Sequence, residues 1–167
     1  MSNKIFGLSD LTNSIFNTLS VTNTSDTLSL GQSQMRECLI LIDGLGQDAV
    51  DRYGDQFEIF SDIKQVNNLS ANFPSTTATS LSTLGTGVLP GVHGMLGYTV
   101  RVPRSDNRLL NALKWDERVD PYIWQSEATL FERAKKQGVK VSHIAAKRYQ
   151  ETGFTRAALR GADYYGV

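Results

Sequence analysis

Five apolar residues in a row, Cys38-Leu39-Ile40-Leu41-Ile42, stop abruptly at Asp43-Gly44. The run does not alternate, which is the pattern of a central strand of a parallel sheet, covered on both faces. Parallel neighbours can only be joined by long crossovers, usually helical, so one such strand commits the chain to a layered α/β architecture. Open parallel sheets collect ligands outside the carboxyl ends of their strands. Asp43 falls at that edge, and Gly44 and Gly46 leave space for an ion or ligand to approach its carboxylate.

The rest of the chain alternates accordingly. Leu8, Leu11, Ile15, Phe16 and Leu19 recur at helical spacing, predicting an amphipathic helix over 8–19. The Ser/Thr-rich stretch 20–34 reads as a linker or loop. A helix is expected over Gln47–Tyr53, an extended piece over Val66–Phe73, and after Pro74 a helix carrying Ala78, Leu81 and Leu84, closed by Gly85 and Gly87. A strand follows at Thr99–Val102. Residues 104–125 read as an irregular excursion, Ser126 as the cap of a helix over Glu127–Gln137, and Val139–Ile144 as the next strand. A short helix at Thr155–Leu159 and a run-in to a further strand at 162–167 complete the pattern. The expected fold is α/β, a mostly parallel sheet with helices on both faces and unfinished within this chain. Residues 1–35 form an N-terminal helix and polar linker, and 36–167 the first part of the main domain.

Seventeen basic residues balance seventeen acidic ones, so charge offers no nucleic-acid groove and no acidic tail. No apolar stretch is long enough to span a membrane, and the N-terminus lacks a secretory pattern. Cys38 is the single cysteine; placed in an apolar run it is expected to be buried, and alone it can form neither an internal disulfide nor a cysteine-based zinc site. These features make a cytoplasmic protein the expectation. Charge and composition leave the oligomeric state open.

Chemistry concentrates in two places. Asp43 is one, read either as a ligand-binding carboxylate or as a turn residue accepting backbone hydrogen bonds. The other is Phe73-Pro-Ser-Thr-Thr-Ala-Thr-Ser-Leu81, which opens a helix with hydroxyls at Ser75, Thr76, Thr77 and Thr79. A threonine hydroxyl needs a metal or a base to act as a nucleophile, and a helix N-terminus favours both an alkoxide and a bound phosphate. The competing role is an N-cap, in which the same hydroxyl satisfies the free amides. His93, in Val-His-Gly, and His143, in a strand-like run, suit structural roles, and with only these two histidines a His-rich metal site is impossible.

Ile40-Leu-Ile-Asp-Gly44, then Phe73-Pro-Ser-Thr-Thr77, then Thr86-Gly-Val-Leu-Pro-Gly-Val-His-Gly94 resembles the nucleotide pyrophosphatase/phosphodiesterase family of the alkaline phosphatase superfamily. The order and spacing match over roughly 36–103, and Leu130–Val139 suits that family's next helix and strand. The resemblance implies an alkaline-phosphatase-like core and a metal-dependent phosphoric ester hydrolase that uses two divalent ions, of zinc type, on a small phosphate-ester or nucleotide substrate. It carries Asp43 onto the first metal-ligand aspartate and Thr77 onto the metal-bound threonine nucleophile. His93 and Gly94 fall on a structural turn. Tyr98 stands where many members place an asparagine that contacts a phosphate oxygen. The family's later ligands (an Asp with a His four residues on, an Asp-His pair and a final His) find no match after Thr77. The chain is therefore expected to be the N-terminal portion of such an enzyme and inactive alone. The alternative is a non-catalytic α/β domain that binds a phosphorylated ligand or a protein partner. A phosphomutase-like or sulfatase-like relative is disfavoured, because a sulfatase site would want Cys or Ser within its own distinct motif.

Overall fold

The computed structural model describes residues 4–32, 36–60, 62, 63, 66 and 68–167. Helix α1 spans Leu8–Thr18 and α2 Gln47–Tyr53. Helix α3, Thr77–Thr86, leads into the single turn α4, Pro90–His93. Strands β1, Thr99–Arg101, and β2, Leu109–Asn111, precede α5, Pro121–Trp124, and α6, Leu130–Lys136. The chain closes with β3, Ser142–Ala145, helix α7, Gly153–Ala158, and β4, Asp163–Gly166.

Helix α3 is the centre of a helical layer, with α1, α4, α6 and α7 packed on it. Beside Leu84, its buried residues are small: Ala78, Thr79, Ser82, Thr83, Gly85 and Thr86. Buried hydroxyls need partners, and here the helix itself supplies them: Ser82 donates to the Ala78 carbonyl at 2.7 Å, Thr83 to Thr79 at 3.0 Å and Thr86 to Ser82 at 2.7 Å. Small side chains let the neighbours come close. A β-carbon on Gly85 would stand 2.0 Å from the Ala158 carbonyl of α7, so only glycine permits that crossing. Around this contact one apolar cluster gathers Ala78, Met95, Ala112, Phe154, Ala158 and Leu159. A second joins Phe16 and Val21 to Leu130 and Ala134, and Phe131 borders both.

Local signals placed most helices where expected. Helix α6 starts later than expected: its cap is Thr129, which forms a reciprocal box with Glu132. Two threonine–glutamate hydrogen bonds outcompete the lone hydroxyl of Ser126 as a start signal. The supposed linker is also more than a linker. Residues 20–32 fold back on α1, with Asn17 donating to the Thr24 carbonyl at 3.0 Å and Ser14 accepting the Leu28 amide at 3.2 Å, and Val21 is buried. Within 104–125 the chain forms a hairpin strand, β2, and the short α5, capped by Asp120.

The sheet differs most from expectation. A mostly parallel sheet with helices on both faces is not what the described residues form: they make an antiparallel β1–β2 hairpin and a parallel β3–β4 pair. Residues 38–42 belong to no strand, Leu39–Ile42 are exposed, with Ile40 at 78%, and Cys38 is exposed and not buried. The expected extended piece at 66–73 is represented by one parallel bridge, Phe6 with Leu69; residue 67 lies outside the described residues. A doubly covered strand needs a ladder partner at its edges and a layer on each face. Among the described residues, none pairs with 38–42. The β3–β4 pair is likewise one-sided: His143 and Tyr164 turn to the half-buried side, while Ile144 and its register partner Tyr165 face out exposed.

Candidate active site

The Asp43 end of the apolar run closes as a turn, with Leu45 donating to the Ile42 carbonyl at 3.4 Å and Gly44 at φ +78°, a left-handed conformation that glycine adopts without penalty. Glycine at 44 therefore allows the chain to reverse directly after Asp43 and enter α2, capped at Gly46.

Threonines 76 and 77, ambiguous in sequence, have distinct places. Thr76 is the N-cap of α3: its Oγ1 accepts the Thr79 amide at 3.3 Å and lies 3.0 Å from the Thr79 hydroxyl. Thr77 is the first helical residue, its side chain exposed and not used in capping. Its hydroxyl donates to Asp43 Oδ2 at 3.1 Å, across 34 residues of sequence. The two motifs singled out in the sequence thus meet in one hydrogen bond at the α3 N-terminus. The Thr77 amide finds no intramolecular acceptor among the described residues.

Behind this surface pair lies a buried polar hub. His93 Nδ1 accepts the Met95 amide at 3.0 Å, which makes Nε2 the protonated nitrogen, donating to Thr83 Oγ1 at 3.0 Å. The same oxygen accepts from Asn72 Nδ2 at 3.2 Å and donates to the Thr79 carbonyl, so its hydrogen-bonding capacity is filled. Burial pushes the His93 imidazole down to about 4, so it is neutral at physiological pH. It is a structural histidine with both nitrogens engaged. Asn72 and Thr83 were not singled out in the sequence, where an isolated Asn and one Thr among many on α3 carry no distinguishing pattern. His143 packs edge-on to Tyr164 at 4.8 Å, and its Nδ1 is buried without a partner; burial lowers its pKa too.

Tyr98 is exposed just ahead of β1, its carbonyl accepting the Ala112 amide at 2.8 Å. No hydrogen bond links its hydroxyl to Asp43 or Thr77 among the described residues. Two clefts, of about 290 Å³ beside Asn13 and Gly87 and about 180 Å³ beside Lys135 and Gly161, share no lining residue with the Asp43–Thr77 pair. The pair itself is open to solvent.

As metal donors, a carboxylate oxygen and a hydroxyl oxygen 3.1 Å apart suit one shared cation. They are two donors where a zinc ion takes four. Among the described residues no group of three or more His, Cys, Asp and Glu side chains could complete the set.

A helical layer, two two-stranded sheets and an aspartate–threonine pair at a helix start make up an α/β arrangement. The model of the type I phosphodiesterase/nucleotide pyrophosphatase family matches residues 38–159, and the chain belongs to that family. No curated protein and no solved structure matches it. The family is one of hydrolases of phosphate esters, generally metal-dependent, on small phosphate-ester or nucleotide substrates. No helix among the described residues is long and apolar enough to cross a membrane.

Proposed function

We propose that this chain supplies the nucleophile and the first metal-ligand carboxylate of a two-metal phosphoric ester hydrolase acting on a small phosphate-ester or nucleotide substrate. The observation that supports the reading best is the Thr77–Asp43 hydrogen bond of 3.1 Å at the start of α3, with capping delegated to Thr76. Thr77 Oγ is the attacking atom, and Asp43 orients it by accepting its proton in a hydrogen bond, leaving the oxygen lone pairs directed outward. The unpartnered Thr77 amide and the positive end of the α3 dipole favour the negative phosphoryl oxygens beside it. Tyr98, in this reading, donates its hydroxyl to a phosphate oxygen in place of an asparagine.

Asp43 and Thr77 would hold a divalent ion, of zinc type, that supplies Lewis-acid stabilisation of charge on the phosphoryl group and makes the threonine a competent nucleophile. No group of three or more His, Cys, Asp and Glu side chains among the described residues completes such a site. The chain alone is then expected to hydrolyse nothing. A second reading follows from the same shortage of donors: a domain that binds a phosphorylated ligand or a protein partner without turning it over.

Turnover of a nitrophenyl phosphodiester separates them. A longer protein that contains this chain together with the remaining ligands should be active with divalent metal. Thr77→Ala should lower that activity about 10³-fold or more, while Thr76→Ala leaves most of it. Activity that survives Thr77→Ala overturns the nucleophile assignment, and full-length protein without metal-dependent activity favours the binding domain.

A further inference from the structure

Residues 4–32 lie outside the part of the chain matched by the family, yet they take hold of α3 at both ends. Ahead of the helix, Phe6 forms a parallel bridge to Leu69: its amide donates to the Asn68 carbonyl at 2.8 Å, and its carbonyl accepts the Ser70 amide at 2.9 Å. Gly7 then passes so close to Asn72 that a β-carbon there would meet the Asn72 Oδ1 at 3.1 Å. Asn72 in turn holds Thr83 on α3, and only four residues separate it from Thr77. Behind the helix, Asn13 of α1 commits its side-chain amide to two carbonyls, Ser9 at 2.8 Å and Gly87 at 2.6 Å, the latter belonging to the C-cap of α3. Between these points the helices pack face to face, and Phe16 enters the cluster with Leu130 and Ala134.

We propose that the N-terminal segment 4–13 is a positioning clamp for the catalytic helix: the main-chain pairing of Phe6 with residues 68–70 and the Asn13–Gly87 bond together fix α3, and with it Thr77. Two independent attachments, one on the segment that leads into α3 and one on its C-cap, limit the freedom of the helix to slide and tilt, which a single one would not. The geometry needed for attack tolerates little displacement, and the exposed Thr77 hydroxyl has Asp43 as its one hydrogen-bond partner among the described residues, so its placement rests on how α3 is held. This inference depends on the reading of Thr77 as the nucleophile for its significance, but its test is conformational and does not require turnover.

The test is residue-resolved amide exchange on the 167-residue chain, with the Thr77 χ1 angle followed by scalar couplings. Phe6→Pro removes the amide that donates to Asn68; Phe6→Ala keeps both main-chain bonds. The clamp predicts that Phe6→Pro accelerates exchange at Thr79 and Ser80 about tenfold or more and averages the Thr77 χ1 angle, with the amides of α6 unchanged. Phe6→Ala should behave as the parent. Asn13→Ala, at the other end, should accelerate exchange of Gly87, whose amide donates to Thr83, again without effect on α6. Uniform acceleration including α6 would make the segment a general stabiliser and overturn the proposal. So would a Thr77 that keeps its single χ1 in Phe6→Pro, or a Phe6→Ala variant as loose as Phe6→Pro. Failure of the nucleophile reading appears separately, as phosphodiester turnover insensitive to Thr77→Ala.

Discussion

Adjacent residues 76 and 77 share a side chain and differ in everything else. Thr76 satisfies the Thr79 amide, so Thr76→Ala removes an N-cap and should cost about 1 kcal/mol of stability, measured by urea unfolding. Thr77→Ala removes an exposed hydroxyl whose one hydrogen-bond partner among the described residues is Asp43, and should change stability by less than about 0.5 kcal/mol while lowering turnover if Thr77 is the proposed nucleophile. The opposite ranking would mean that the cap and the reactive residue have been exchanged. His93 offers a second test at this scale. Its folded pKa, about 4, lies below the ordinary value of 6.5, so as pH falls the unfolded chain takes up its proton first. The stability contributed by neutral His93 is complete above pH 6.5 and is lost as pH falls toward 4, at no more than about 1.4 kcal/mol per pH unit. His143, also lowered by burial, acts in the same direction. Replacing His93 by Gln should flatten the dependence of melting temperature on pH in that window; an unchanged slope would show that His93 is not held neutral.

Among the elements, α3 is decided by packing of small groups. Gly85→Ala would drive a methyl group into the Ala158 carbonyl, forcing α7 away, and should destabilise the chain by about 1–3 kcal/mol or more, readable as a fall in the urea midpoint. A Gly85→Ala variant as stable as the parent would contradict the close α3–α7 crossing. The sequence made the helices visible because their signals are local: apolar spacing over 8–19, the hydroxyl cluster that opens α3 and the Gly87 that closes it (Gly85, expected at its end, lies inside it), the Gly138 that follows α6. Where two local signals competed, as Ser126 and Thr129 did, the reciprocal partner Glu132 decided and was overlooked. The Asp43–Thr77 pairing was legible only through the order and spacing of motifs 34 residues apart, and the choice between Thr76 and Thr77 only by alignment spacing. The Asn72–Thr83–His93 hub was not legible at all, because it depends on three side chains brought together by tertiary structure.

At the scale of the whole molecule, the described residues form a helical layer and two separate two-stranded sheets. The apolar run 38–42 is a strand by composition, but backbone hydrogen bonds and burial come from neighbours, and the described residues provide it with none. The same holds for the outward pair Ile144 and Tyr165 on β3–β4. The candidate site has two oxygen donors in place, and no group of three or more His, Cys, Asp and Glu side chains among the described residues could hold a metal ion. What the chain does hold is the juxtaposition of carboxylate and threonine, and the account stands on that pair acting as one donor unit. The measurement that tests it most directly is a zinc titration of the 167-residue chain and of its Asp43→Ala and Thr77→Ala variants, followed by NMR. Weak, saturable binding is expected, with shifts centred on Asp43 and Thr77 that are lost in Asp43→Ala and weakened in Thr77→Ala. Binding that persists unchanged in both variants, or shifts centred elsewhere such as on Cys38, would contradict it.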